Sequence, residues 1–110
     1  MQKARELGAV IVLEHGSSHI KYQTSILKEE YEKFGLKVKT AHPKIIEKVL
    51  KEFEEADYIS IPSLFVKRTF LEKGIPENKL IHIPFGVDLS QFQQIPKEDD
   101  VFRVIFTGGM

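Results

Sequence analysis

The sequence has no cysteine, no net charge and no long apolar run, and each absence excludes a class of function. Without cysteine the chain forms neither disulfides nor thiolate metal sites, which fits a reducing compartment and favours a cytoplasmic location. Sixteen basic and sixteen acidic residues cancel, so no net field draws the chain to nucleic acid. No apolar run approaches the roughly 20 residues that span a bilayer.

The composition is that of a small globular domain. With 110 residues, 42% of them apolar and 29% charged, the chain has material for one hydrophobic core. Short apolar runs alternate with longer segments of helical periodicity. The pattern predicts strands at residues 9–13, 58–61, 80–83 and 101–107, with a weak strand signal at 36–41, and helices at residues 3–7, about 18–34, 43–53 and 64–72.

The boundaries of these helices have recognisable signals. Ser17 or Ser18 is expected to cap the second helix, Pro43 suits the first turn of the third, and Ser63 is expected to cap the fourth. Because helices return between strands, the chain is predicted to be α/β, with a Rossmann-like open parallel sheet. The unbroken apolar run at residues 9–13 suits a strand that is buried on both faces.

The loop at residues 14–19 follows the first strand, at the edge of the sheet where ligands collect. Its residues His15, Gly16, Ser17, Ser18 and His19 could hold a sugar hydroxyl or a phosphate at a helix N-terminus. The alternative is that the serines only cap the helix and the histidines are solvated. Zinc usually needs three or four ligands, and His15 and His19 supply only two, so no metal site is predicted in this loop.

Two later loops contain glycine. Gly86 suggests a backbone conformation that other residues resist, and Asp88 could stabilise the same turn, so this segment is either a structural hinge or a ligand contact. Gly108 and Gly109 follow the last predicted strand, where backbone amides can approach a phosphate closely.

Several motifs occur together in the second half of the chain. They read A-D-Y-I-S-I-P-S-L-F at residues 56–65, G-I-P-E-N-K at 74–79, I-P-F-G-V-D at 83–88 followed by Phe92, and F-T-G-G at 106–109. In this order they resemble the hinge region of retaining GT-B glycosyltransferases of family 4, with Phe85 where asparagine is commoner. The segment E-H-G-S-S-H at residues 14–19 looks like a cleft loop of that family, with His15 in place of arginine.

The resemblance implies a two-domain GT-B architecture of which this chain is an internal fragment. Residues 1–83 would belong to the acceptor-side domain, residues 84–100 to the interdomain linker with Gly86 and Asp88 as hinge, and residues 101–110 to the donor-binding domain, with Gly108 and Gly109 in its donor-side loop.

The implied reaction is transfer of a sugar from a nucleotide-sugar to an acceptor hydroxyl with retention, without metal or other cofactor. The acceptor would be a glycan, a lipid or a small molecule, and contact with a membrane surface stays open. His19 would touch the substrate as a catalytic residue, and the fragment alone would be inactive. The competing interpretation is a non-catalytic Rossmann-like nucleotide-binding or scaffold module.

Overall fold

The structure is a computed structural model that describes residues 1–108. Its helices are α1 (Gln2–Glu6), α2 (Ile20–Lys33), α3 (Pro43–Glu55) and α4 (Leu64–Glu72), its strands are β1 (Val12–Glu14), β2 (Tyr58–Ile61) and β3 (Leu80–His82), and single 3₁₀ turns lie at Glu77–Lys79 and Leu89–Gln91. The three strands form one parallel sheet in the order β1-β2-β3. The predicted α/β class with a parallel sheet and flanking helices is therefore confirmed.

The register of the sheet places all three strand ends at the same edge. Val12 of β1 lies opposite Tyr58 of β2, and Ile59 of β2 lies opposite Leu80 of β3. Because the strands are parallel, the loops after β1, β2 and β3 leave the sheet together at its carboxyl edge.

The core lies between the helices and one face of the sheet. Side chains alternate between the faces of a strand, and Ile59 and Ile61 of β2 point into the core with Phe53 of α3 and Phe70 of α4. On the other face Val12 is 54% exposed. The prediction that the first strand is buried on both faces is wrong for residues 1–108, because their helices contribute a layer to one face only.

Local signals explain where the helices begin and end. Pro43 occupies the first turn of α3, where its missing N–H is not needed. The side chain of Ser63 caps α4 as predicted, accepting a hydrogen bond from the N–H of Val66 at 3.2 Å. Gly74 follows α4 with a φ of 86°, a conformation that side chains disfavour.

Two predicted strands do not form. Residues 36–41 and residues 101–107 pair with no strand among the residues that the structure describes. Phe102 and Phe106 in the second segment are 88% and 83% exposed. An apolar, β-branched segment becomes a strand only where a neighbouring strand accepts its hydrogen bonds, and that neighbour cannot be read from the segment itself. The domain boundaries at residues 83 and 100 stay predictions.

Candidate binding site at the carboxyl edge of the sheet

The three loops that leave the carboxyl edge meet around a small notch. Its lining comes from the ends of β1 and β2 and from the loops after all three strands: Glu14, His15, Gly16, Ser60, Ile61, Pro62, Ile83 and Phe85. Its volume is about 20 Å³, the space of roughly one water molecule. The fold therefore brings three loops together here, but around a volume far smaller than a sugar.

His15 fixes the beginning of the first loop. Its backbone N–H donates to the carbonyl of Ser60 at 2.9 Å, which continues the pairing of β1 with β2 by one residue. Its Nε2 lies 3.4 Å from the carbonyl oxygen of Ser18. The half-buried ring contacts Phe53 and Phe70 edge-on, with centroid distances of 5.0 and 5.5 Å. His15 thus joins the loop to the core while one side of it lines the notch.

His19, not a serine, caps helix α2. Its Nδ1 accepts a hydrogen bond from the backbone N–H of Lys21 at 3.2 Å, and its own backbone N–H donates to Oγ1 of Thr69 at 3.1 Å. The prediction that Ser17 or Ser18 is the cap is wrong. An imidazole nitrogen can accept the same orphan N–H as a serine hydroxyl, and here the ring is held in position by the core beneath it.

The two histidines and two phenylalanines form a four-ring cluster, comprising His15, His19, Phe53 and Phe70. His19 lies 5.1 Å from both phenylalanine centroids, and the phenylalanines are 5.0 Å apart. The side chain of His19 is only 2% exposed. The alternative of solvated histidines therefore fails for His19, whose ring is part of the core.

Burial controls the charge of His19. Desolvation, with smaller contributions from Lys21, Lys73 and His15, lowers the pKa of His19 to about 4. The ring is consequently neutral at neutral pH. Since its Nδ1 accepts from Lys21, the proton of the neutral ring lies on Nε2.

The small residues of the loop remain at the surface. Ser17 and Gly16 are exposed and Ser18 is half-buried. A Cβ built on Gly16 would lie 3.8 Å from the ring of Phe85, an ordinary contact distance. The serine hydroxyls are therefore accessible groups of the edge, with no capping role in α2.

Two polar residues important to this arrangement were not predicted. Thr69 is fully buried in α4, where its Oγ1 accepts from the N–H of His19 and donates to the carbonyl of Val66 at 2.7 Å. The carboxylate of Asp57 accepts from the N–H of Ile11 at 2.8 Å, at the opposite edge of the sheet. For Thr69 the available signal was a polar residue inside the apolar stripe of α4 next to Phe70.

Of the two residues of the predicted hinge, Asp88 stabilises its turn as expected and Gly86 has an ordinary backbone conformation; the hinge role of both stays a prediction. Oδ1 of Asp88 accepts from the N–H of Ser90 at 3.0 Å, and hydrogen bonding by Ser90 lowers the pKa of the Asp88 carboxyl. Gly86 has no positive φ, and a Cβ there would meet nothing within 4 Å. The backbone at Gly86 is open to other residues, so this turn is stabilised by Asp88 and does not depend on glycine.

The remaining expectations concern the end of the chain and bound groups. A Cβ at Gly108 would lie 2.9 Å from the ring of Phe106, an exposed side chain. The donor-side role of Gly108 stays a prediction, and Gly109 lies outside the described residues. Residues 1–108 contain no group of three or more histidine, aspartate or glutamate side chains arranged to hold a metal ion. In the same part of the chain, every helix is too short or too polar to cross a membrane.

Comparisons of the chain with protein-family models, with curated proteins and with solved structures gave no match.

Proposed function

We propose that this chain forms the acceptor-side part and the hinge of a retaining GT-B glycosyltransferase, which moves a sugar from a nucleotide-sugar to an acceptor hydroxyl. One observation carries the proposal. The segment E-H-G-S-S-H follows β1, P-S follows β2 and I-P-F-G-V-D follows β3, and residues of all three line the same notch. These are three of the motifs on which the resemblance rests, and parallel sheets bind ligands at this edge.

Within this proposal the residues of the first loop have different roles. Ser17, Ser18 and the exposed side of His15 offer hydroxyl and imidazole groups to the hydroxyls of a bound sugar or acceptor. The backbone amides at the beginning of α2 favour oxygen ligands. The burial of His19 favours a positioning role, in which the ring holds the loop. Direct catalytic contact by His19 stays a prediction.

The proposal requires a donor-binding domain in the same enzyme. The notch of about 20 Å³ has no room for a nucleotide-sugar, and a nucleotide-sugar would have to lie between this edge and a second domain. Gly108 and Gly109 would begin the donor-side loop of that domain. Catalysis would then rest on orienting the two substrates and on stabilising the departing nucleoside diphosphate.

The test is an activity assay on one polypeptide that joins the chain to the donor-binding domain that the proposal requires. UDP-, GDP- and ADP-sugars are supplied with glycan, lipid and small-molecule acceptors, and nucleoside diphosphate release is measured. We expect transfer from one donor class, with the donor's anomeric configuration kept in the product, and none from the 110-residue chain alone. No transfer by the joined polypeptide, or an inverted product, would refute the proposal.

The competing function, a non-catalytic nucleotide-binding or scaffold module, is favoured by the burial of His19, which removes one polar side chain from the open edge. Titration of the 110-residue chain with nucleotides separates the two functions. Micromolar binding of a free nucleotide at residues 14–19, without transfer in the joined polypeptide, would support the module.

A further inference from the structure

We propose that His19 is an acid-sensitive switch, whose protonation releases the loop at residues 14–19 and the first turn of α2 from helix α4. The inference concerns the folded chain itself and does not depend on the proposed glycosyl transfer. It rests on the hydrogen bonds of His19, on the charges around it and on the rings that enclose it.

The first argument is geometric. The Nδ1 of His19 is an acceptor, since the group that faces it is the backbone N–H of Lys21 at 3.2 Å. Protonation would place a second N–H at Nδ1, and two donors would then point at one another. The cap of α2 would be lost, and the N–H of Lys21 would need a new partner.

The second argument is the absence of a counter-ion among the residues described. The groups that act on the ring are all cations or potential cations, namely Lys21 on α2, Lys73 at the end of α4 and His15 in the loop. The aromatic rings packed against it are those of Phe53 from α3 and Phe70 from α4, which are uncharged. An imidazolium in this position would be desolvated and repelled without compensation.

The third argument is that the contacts of His19 connect the loop to helix α4 and to the core. The backbone N–H of His19 joins the loop to Thr69 in the middle of α4. His15 packs on the same phenylalanine pair. Movement of the His19 ring would therefore disturb both contacts that hold the loop to the core, while the pairing of β1 with β2 is left in place.

The chain offers a matched control. His42 caps α3 with the same geometry, its Nδ1 accepting from the N–H of Lys44 at 3.2 Å. In contrast to His19, His42 is exposed, and the described residues place no aromatic ring against it. His19→Asn keeps a side chain that can cap a helix and removes the titrating group. His42→Asn makes the same change at the second cap.

The experiment follows the ¹⁵N-labelled 110-residue protein by NMR from pH 7.5 to 3.5. In the wild type we expect His19 as the Nε2–H tautomer at neutral pH, half-protonated near pH 4. Amide signals of residues 14–24 and of Thr69 should shift in the same transition. The transition should persist in His42→Asn and disappear in His19→Asn.

Three results would overturn the proposal. They are an Nδ1–H tautomer at neutral pH, protonation of His19 without any shift of the loop amides, and persistence of the same transition in His19→Asn. The first two are measured on the wild type, so the proposal stays testable where His19→Asn does not fold.

Discussion

The carboxylate of Asp57 and the backbone N–H of Ile11 are joined by a hydrogen bond of 2.8 Å across 46 positions of the chain. The backbone N–H of Asp57 donates in turn to the carbonyl of Ile11 at 2.9 Å. This reciprocal pair lies just before the paired residues of β1 and β2 begin. It therefore sets the register of the two strands, and that register determines where the strands end and where the candidate site lies.

We predict that Asp57→Ala lowers the free energy of unfolding by about 1–3 kcal/mol, because the N–H of Ile11 loses its partner at the beginning of the sheet. Urea unfolding measures the change. Asp99→Ala is the control: Asp99 also accepts a backbone N–H, from Val101, but in an exposed segment, and its loss should matter by less than about 0.5 kcal/mol. Equal effects of the two substitutions would contradict the register role of Asp57.

Ser63→Ala should lower the free energy of unfolding by about 1 kcal/mol, since α4 loses the side chain that accepts from Val66. Ser63→Asp keeps a capping oxygen and should restore most of this stability. Thermal unfolding followed by circular dichroism measures both variants. A Ser63→Asp variant as unstable as Ser63→Ala would show that the serine acts by another route.

Ser17→Ala and Ser18→Ala should leave the free energy of unfolding within about 0.5 kcal/mol of the wild type, because neither serine caps α2. In the joined enzyme of the proposed function, the double variant should lose ten-fold or more in kcat/KM, about 1.4 kcal/mol of transition-state stabilisation. Unchanged kcat/KM would remove these hydroxyls from the site. A loss of stability would instead return them to a structural role.

Acid should destabilise the fold through His19. The pKa of His19 is lowered to about 4 in the folded state against about 6.5 in an unfolded chain. Between these values the unfolded state binds more protons, so stability is fully present above pH 6.5 and is lost as the pH falls towards 4. At pH 5 the loss is about 2 kcal/mol by linkage.

Urea unfolding at pH 7.5 and pH 5 measures this loss of unfolding free energy. Because carboxylates also titrate in this range, the loss in His19→Asn is subtracted from the loss in the wild type to give the contribution of His19. His42→Asn provides the reference for replacing a capping histidine. A pH dependence of equal size in the wild type and in His19→Asn would show that His19 contributes nothing to it.

Gly86→Ala should be neutral within about 0.5 kcal/mol, since the backbone there needs no positive φ and a Cβ has free space. Gly74→Ala should cost about 1–2 kcal/mol, because a φ of 86° is strained for a side chain. Thermal unfolding of the pair gives the comparison. If Gly86→Ala lowered the free energy of unfolding, Gly86 would have to adopt a backbone conformation different from the one described here.

Local signals predicted the local structure well. Helix α4 is predicted correctly at residues 64–72, because the capping residue Ser63, an apolar stripe and the terminating Gly74 lie within a dozen residues of each other. Strand β2 was equally readable from the run Y-I-S-I. The class of the fold followed from the alternation of these elements along the chain.

The predictions that are wrong mostly concern features that depend on residues distant in the sequence. The sequence could not show that Phe53 and Phe70 enclose the ring of His19, and on propensity alone a serine outranks a histidine as a cap. Residues 101–107 have the composition of a strand, but pairing depends on a partner elsewhere. Gly86 was misjudged because the residue type permits an unusual φ without requiring one.

The shared position of Phe53 and Phe70 has a consequence for genetic screens. The pair closes the hydrophobic core and also supports both histidines of the loop, although neither phenylalanine lines the notch. Substitutions that shrink either ring, such as Phe53→Leu, would let the loop settle differently while the sheet stays paired. Under the proposed function, a selection for lost activity would therefore recover these two positions beside the loop residues, and folded but inactive variants would be found among changes to the core.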